Sequence, residues 1–281
     1  MKRFFSTTST VGFFNRLNNA LIKAAPRDHV VQELKKPVGL ECSPDRSIPY
    51  TKGNSLKDMF KQDKTTQRAE ELALEFSKSG MYDVYTFRKT NGKLFLSPPS
   101  YWRAEKSLYF PHLVGRTLAN AEKTCLEDTL RGKLSIIKIA TSVAGEKLVN
   151  SYFQNENIDY LANGHELLND KQSTMSTAAA QIIDINFSEN WVKSLIVNLS
   201  LRKLRNEIPE RRHSQYFVCA REQLPFMIRE KLLLNNPYTG YVYVVDPQLR
   251  IRWMACGAAQ PKDFELLWKC VRGLQKELVN Q

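Results

Sequence analysis

Hydrophobic and polar positions in residues 240–274 follow the order expected of a β-hairpin and a helix. Every residue of Tyr241–Val245 is β-branched or aromatic, which predicts a strand buried on both faces. Asp246 and Pro247 then favour a tight turn. The returning run alternates, which predicts a strand with one solvated and one buried face. Its polar positions are Arg250 and Arg252, and its apolar positions are Ile251, Trp253 and Ala255.

An amphipathic helix is predicted after this hairpin. Pro261 suits the first helical turn, where Asp263 and Glu265 also favour the helix dipole. Apolar residues then recur near one face at a spacing of about 3.6: Phe264, Leu267, Trp268, Val271 and Leu278. We therefore expect the helix to pack on the sheet, with Trp253 and Trp268 both buried.

Strand and helix patterns alternate through the middle of the chain. Residues 134–140 form a β-rich run, and a helix is predicted after it over about 145–155. Further strands are predicted near 181–187 and 215–220, and further helices over about 189–208 and 222–234. This order predicts an α/β sandwich with a mixed β-sheet, closed by the hairpin and the C-terminal helix.

Gly132 and Lys133 before an apolar strand, followed by a loop and a helix, resemble the central strand and active-site helix of the thioredoxin superfamily. Redox members carry a CxxC motif at this helix start, where the dipole stabilises a thiolate. Here the loop over residues 141–146 contains no cysteine. This position therefore lacks the attacking thiolate that thiol exchange requires, and it lacks the ligands for a soft copper ion. We interpret Ser142 as a helix N-cap rather than a nucleophile, and Glu146 as a helix-start acid.

The cysteines and histidines do not form a recognisable site. Five cysteines lack the short spacing of a zinc site or a disulfide framework: Cys42, Cys125, Cys219, Cys256 and Cys270. The histidines are likewise isolated: His29, His112, His165 and His213. Cys219 lies in an apolar run and is interpreted as a small hydrophobe. The sequence predicts no catalytic, cofactor-binding or metal-binding residue.

The N-terminal part of the chain differs in composition. Residues 1–27 contain basic residues but no acid, and their apolar residues share one helical face, which is typical of a mitochondrial transit peptide. A disordered basic terminus is the alternative. We interpret residues 28–97 as a linker and N-terminal helical extension, with a helix over about 55–79 that Gly80 caps and a hairpin turning at Asn91 and Gly92. Residues 98–281 form the predicted thioredoxin-like domain.

The net charge of +12 arises from 41 Lys and Arg against 29 Asp and Glu. It indicates an anionic partner, a matrix-type compartment, a removable basic leader or simply a solvated basic surface. No apolar run approaches the roughly 20 residues needed to span a bilayer, so any membrane association should be peripheral. Basic residues near the middle helix are candidates for membrane or partner contact: Arg202, Lys203, Arg205, Arg211 and Arg212. Solvation alone and RNA binding remain alternatives for them.

Two long motifs carry a specific resemblance. They are YVYVVDPQLRIRWMACGAAQPKDFELLWKCV, which begins at Tyr241, and FPHLVGRTLAN, which begins at Phe110. Together they closely resemble the fungal mitochondrial assembly factors that act on the Fo sector of ATP synthase, over roughly residues 98–278. The resemblance implies a thioredoxin-like fold without a known catalytic centre, and a role in joining subunit a (subunit 6) to its partners.

We therefore expect a non-enzymatic assembly factor, held peripherally on the matrix side of the mitochondrial inner membrane. Its partner would be subunit a, and no nucleic acid, small-molecule substrate or cofactor is expected. A divergent mitochondrial thiol reductase that uses Cys219 or Cys256 is one alternative. A mitochondrial RNA-binding protein is the other, which would require basic residues interleaved with exposed aromatic side chains.

Overall fold

The computed structural model describes residues 29–46, 50, 62–78, 81–120, 122–162, 168, 179–188 and 194–280. The strands are β1 (Leu108–Tyr109), β2 (Val114–Thr117), β3 (Lys123–Cys125), β4 (Leu134–Ala140), β5 (Ala180–Ser188), β6 (Tyr216–Ala220), β7 (Tyr241–Val245) and β8 (Arg250–Cys256). The helices are α1 (Gln62–Ser77), α2 (Met81–Thr90), α3 (Leu126–Leu130), α4 (Val143–Asn150), α5 (Ser194–Glu207), α6 (Phe226–Lys231) and α7 (Pro261–Val279). The sequence did not predict β1, β2, β3 or α3.

Within the described residues, one mixed sheet contains all eight strands, in the order β1-β8-β7-β4-β5-β6-β2-β3. Strand β4 is parallel to β5 and antiparallel to β7, which in turn pairs antiparallel with β8. The chain order β4-α4-β5 followed by β7-β8-α7 therefore matches that of the thioredoxin fold. As in that fold, the third strand of the set, β7, runs antiparallel to the first, β4. This arrangement confirms the predicted fold class, a thioredoxin-like α/β sandwich with a closing hairpin and a C-terminal helix.

Hydrophobic cores lie on both faces of the sheet, which explains why every residue of β4 and β7 is buried. One core includes Ile137 and Tyr243. The other includes Ile136 and Val244, together with the apolar face of α7. Central strands covered on both sides need apolar residues at successive positions, as the sequence pattern predicted.

Helix α7 begins as its sequence predicts. Pro261 occupies its first turn, and Gln260 and Asp263 form a capping box in which the backbone N–H of Gln260 donates to Asp263 Oδ2 (3.1 Å). The indole N–H of Trp268 donates to the carbonyl of Tyr152 (2.9 Å), and that of Trp253 donates to the carbonyl of Pro98 (3.0 Å). Both tryptophans are buried, which confirms their interpretation as core residues.

Strand β8 departs from the predicted alternation at Arg252. Val244 pairs with Trp253 but Val245 pairs with Ile251, so Arg252 is the extra residue of a β-bulge. The bulge places Ile251 and Trp253 in the cores on opposite faces of the sheet. The prediction that Arg252 faces solvent is therefore wrong, because its side chain is fully buried.

Arg252 joins three parts of the chain from this buried position. Its guanidinium donates to the carbonyl of Trp102 (2.7 Å) and to Glu277 near the end of α7 (2.7 Å). It also lies 3.4 Å from the carboxylate of Asp246, which is itself buried and pairs with Arg250 (2.8 Å). The ionic contacts keep the charge paired, as burial of a guanidinium requires.

The N-terminal extension is helical where a hairpin was predicted. Residues 81–90 form α2, and Asn91 and Gly92 end it with positive φ angles of 50° and 78°. The backbone N–H of Gly92 donates to the carbonyl of Phe87 (2.9 Å). The hairpin prediction was wrong because Asn-Gly suits the left-handed backbone of a helix C-terminus as well as that of a hairpin turn.

Other predicted boundaries agree closely or shift slightly. Strands β5 and β6 lie where the sequence placed them, whereas the helix predicted over 222–234 is a short 3-10 turn (Arg221–Gln223) and then α6. Helix α1 covers most of the described part of the helix predicted over 55–79. The predicted transit peptide and the proposed cap at Gly80 lie outside the described residues.

Candidate functional site

The position of the thioredoxin active site lies where β4 ends and α4 begins. The side-chain oxygen of Ser142 accepts a hydrogen bond from the backbone N–H of Gly145 (3.1 Å), which confirms its role as N-cap. The same hydroxyl donates to the carbonyl of Tyr238 (3.2 Å). Because the Ser142 hydroxyl both caps α4 and donates to Tyr238, it fixes the start of α4 against the loop that precedes β7.

Backbone packing closes this position. A Cβ atom at Gly145 would lie 2.6 Å from the carbonyl carbon and oxygen of Thr239, far inside ordinary contact distance. The hydroxyl of Thr239 donates to the carbonyl of Gly92 (2.7 Å), so the end of α2 adjoins the same loop. The start of α4, the loop before β7 and the end of α2 are therefore held in direct contact.

A buried ionic network lies beneath α4. Lys138 in β4 and Asp184 in β5 are register partners, and Lys138 Nζ lies 2.9 Å from Asp184 Oδ1, as an ion pair without hydrogen-bond alignment. The ammonium also donates to Asn150 (2.9 Å) and lies 3.4 Å from Glu146 in α4. Arg212 adds a second cation by pairing with Asp184 Oδ2.

The network was missed at the sequence level, although a signal existed. Lys138 and Asp184 are each the charged residue of an otherwise apolar or neutral strand sequence, LSIIKIA and AQIIDINFS. Such residues are almost never buried unless paired, so two of them in neighbouring strands indicate a cross-strand pair. The pair connects the centre of the sheet to α4 and to the 3-10 helix Glu210–Gln215, which contains Arg212.

Three thiols are buried and poorly suited to redox chemistry. Burial raises the pKa of Cys219 to about 12, and it raises the pKa values of Cys256 and Cys270 to about 11. Since the thiolate is the nucleophile, such thiols are almost entirely protonated and inert near neutral pH. Cys42 is exposed and Cys125 is partly exposed, and all five cysteines are free. In the part of the chain that the structure describes, no group of His, Cys, Asp or Glu side chains is arranged to hold a metal ion.

The predicted contact residues do not form one uniform surface. Arg202 and Lys203 are exposed on α5, and Lys203 lies 3.8 Å from Glu207. Arg205 is exposed but donates to the carbonyl of Leu118 (2.7 Å), and Arg211 likewise donates to the carbonyl of Ala162.

Arg212 is a correction to the predicted contact surface. It is buried with only 9% of its surface exposed, because it neutralises Asp184 inside the fold. Its guanidinium therefore serves the core and not a contact surface.

Among the described residues, no helix is long and apolar enough to cross a membrane.

These features define a class: a thioredoxin-like domain in which a serine cap and a buried ionic network occupy the region of the redox centre. The chain belongs to the ATP10 protein family, whose sequence model matches residues 18–274.

Curated relatives match nearly the whole chain. Mitochondrial ATPase complex subunit ATP10 of Eremothecium gossypii is 52% identical over 276 residues, which cover 98% of this chain and 97% of the relative. The protein of the same name from Saccharomyces cerevisiae is 44% identical over 280 residues, with 97% and 98% coverage. The chain is thus similar to these proteins from end to end.

Likeness to solved structures is much weaker. A secreted thiol-disulfide isomerase from Corynebacterium glutamicum is 16% identical, with a TM-score of 0.39 over 63% of this chain and 90% of that structure. At this TM-score the likeness has no functional implication, and the fold class follows from strand order and direction alone.

Proposed function

We propose that the protein is a non-enzymatic assembly factor for the Fo sector of mitochondrial ATP synthase, and that it binds newly made subunit a (subunit 6) and promotes its incorporation. The observation that carries this proposal is the end-to-end similarity to proteins named mitochondrial ATPase complex subunit ATP10. Family membership over residues 18–274 supports the same assignment.

The chemistry around α4 supports a role in binding rather than catalysis. Ser142 is engaged as a cap and Lys138 is paired inside the sheet. Burial raises the pKa values of the Cys219 and Cys256 thiols, which weighs against the thiol reductase alternative. An assembly factor without a reactive group assists its client by covering a surface until the correct partner displaces it.

A matrix-side, peripheral location is part of the proposal. Arg202 and Lys203 are exposed on α5, and each cation near anionic headgroups contributes about 1 kcal/mol. A domain held in this way reaches the matrix-facing loops and helix ends of an apolar membrane protein. Exposed apolar side chains, among them Phe76, Met81 and Val143, offer contact area for such a client.

Cross-linking to newly synthesised mitochondrial translation products tests the client. Mitochondria that contain the tagged full-length protein are pulse-labelled, cross-linked and denatured before the tag is isolated. We expect labelled subunit a among the cross-linked products, and its signal should decline during a chase as assembly proceeds.

The same experiment distinguishes the alternatives. Recovery of RNA without a labelled polypeptide would favour the RNA-binding alternative. An adduct that forms without any added cross-linker and disappears on reduction would indicate a mixed disulfide and favour the reductase. Labelled products that do not include subunit a would contradict the client assignment.

A further inference from the structure

A groove of about 430 Å³ lies between α7 and the extended segment that precedes β1. One wall is formed by Pro99 and Ser100, and the other by the solvent-facing side of α7. Its floor combines the ring of Tyr101 with Leu266 and the buried Cys270. Tyr101 approaches the helix closely because Gly273 has no side chain, and a Cβ there would lie 2.9 Å from the ring.

The charge lining this groove has one sign. Lys269, Arg272 and Lys276 are exposed along it, and no Asp or Glu is among its described lining residues. Glu277, a neighbouring acid, pairs with the buried guanidinium of Arg252 (2.7 Å) and also interacts with the hydroxyl of Tyr101. A concave surface lined by positive charges concentrates positive potential and attracts anionic groups.

The spacing of the cations suits an extended chain. Lys269 and Lys276 are seven residues apart on a helix, a rise of about 10 Å. An extended chain rises about 3.3 Å per residue, so this distance corresponds to about three residues. Carboxylates on such a segment would meet the cations while an apolar side chain covers Tyr101 and Leu266.

We propose that this groove binds a short acidic segment of a partner protein in an extended conformation. A membrane surface fits less well, because a flat headgroup layer contacts the rim of a concave groove but not its apolar floor. The proposal goes beyond the assembly function and holds whichever subunit is the client. It also identifies a surface distinct from Arg202 and Lys203 on α5.

Fluorescence anisotropy with the full-length protein tests the groove. The probe is a fluorescein-labelled ten-residue peptide with four Glu and two Leu, and the comparison probe has Lys in place of every Glu. We expect saturable binding of the acidic probe only. In Lys269→Glu/Lys276→Glu, the Kd should rise about tenfold at low salt, because both contacts become repulsive.

Two further variants separate charge and shape from nonspecific effects. Lys123→Glu/Lys133→Glu makes the same change in net charge at exposed sites, with Lys123 in a strand at the opposite edge of the sheet, and should bind the acidic probe nearly as wild type does. Ser100→Trp retains the charge but fills the groove, and should weaken binding.

Three results would overturn the proposal. The first is equal affinity of wild type and Lys269→Glu/Lys276→Glu for the acidic probe. The second is comparable binding of the lysine probe. The third is binding to cardiolipin-containing vesicles that depends on Lys269 and Lys276 while the acidic peptide does not bind, which would assign the groove to lipid.

Discussion

Charged residues inside the fold determine how several elements meet. Asp184 pairs with Lys138 across two strands and with Arg212 from the 3-10 helix, and Asp246 pairs with Arg252 at the bulge. Asp184 therefore joins segments that are distant in sequence, whereas Asp246 pairs within the closing hairpin. Removal of one partner would leave an uncompensated charge in the interior, which is far costlier than the loss of a surface ion pair.

Asp83 in α2 offers a test of burial through pH. Burial raises its pKa to about 6 from the usual 3.8, although the charges of Arg221 and Arg229 oppose the shift. The folded state thus holds this proton more tightly than the unfolded state, and the contribution of Asp83 to stability falls as pH rises between these two values. Asp83→Asn should be more stable than wild type at pH 7 and indistinguishable from it below about pH 4.

Urea denaturation at a series of pH values measures this difference. Asp128→Asn serves as the control, because Asp128 is exposed and should show no gain at pH 7. A lower stability of Asp83→Asn at pH 7 would mean that the nearby arginines outweigh the burial of the carboxyl group.

The two buried tryptophans should contribute strongly to stability. Trp253 is fully buried, and Trp268 stacks on Tyr160 with ring centroids 3.5 Å apart. We expect Trp253→Ala and Trp268→Ala each to lower the free energy of unfolding by about 3–5 kcal/mol, through lost burial and the cavity left behind. Val143→Ala, at a side chain that is 71% exposed, should change it by less than about 0.5 kcal/mol. Chemical denaturation of the three variants gives the comparison, and wild-type stability in either tryptophan variant would contradict the assignment.

Helix α4 shows how one element is fixed by its contacts rather than by its length. It has eight residues, too few for stability in isolation. The Ser142 cap, the contact of Gly145 with the loop before β7 and the ionic contacts to Lys138 hold it on the sheet. The local pattern predicted a helix here, but these contacts determine its position.

Gly145→Ala tests the closest of these contacts. The added methyl group would meet backbone atoms of Thr239, which cannot move aside as the end of a flexible side chain could. We expect a loss of about 1–3 kcal/mol in the free energy of unfolding, in spite of the higher helix propensity of alanine. Lys147→Ala, at an exposed position of the same helix, should stay within about 0.5 kcal/mol of wild type. A Gly145→Ala variant as stable as wild type would show that α4 can move away from the loop at little cost.

At the scale of the whole molecule, the thiols should be dispensable. We expect a variant with Ala at Cys219, Cys256 and Cys270 and with Ser at Cys42 and Cys125 to support ATP synthase assembly. A modest loss of packing at Cys219 is expected because its side chain is fully buried. The readout is the assembled enzyme in mitochondria that contain only this variant. A single folded Cys→Ser variant that abolishes assembly would favour redox chemistry instead.

Membrane association provides a second test at this scale. We expect carbonate or high salt to release the protein from inner membranes, because contacts with headgroups are electrostatic and screened. Arg202→Glu/Lys203→Glu should lower the bound fraction, and Lys123→Glu/Lys133→Glu is the charge-matched control. Resistance to carbonate in the wild type would refute peripheral attachment.

Loss of the protein tests its place in assembly. Subunit a should be synthesised but left unincorporated and degraded, while the catalytic head still hydrolyses ATP. Pulse-chase labelling and ATPase assays measure the two effects. Normal incorporation of subunit a in the absence of the protein would refute the proposed client.

Local pattern alone predicted β4, β7, α7 and the Ser142 cap. Each depends on neighbours within a few residues, such as the unbroken β-branched and aromatic run in β7 or the 3.6-residue spacing in α7. The inert character of Cys219 followed from its apolar surroundings in the same way. The two long motifs also indicated the family from the sequence.

Tertiary structure decided the features that depend on distant partners. Arg252 is buried because a bulge shifts the register of β8, and Arg212 is buried because it pairs with Asp184 inside the fold. The Asn-Gly pair ends α2, since the same left-handed backbone serves helix and hairpin and only packing selects between them. Periodicity reports which side of an element is apolar, whereas the pairing of charges depends on which segments the chain brings together.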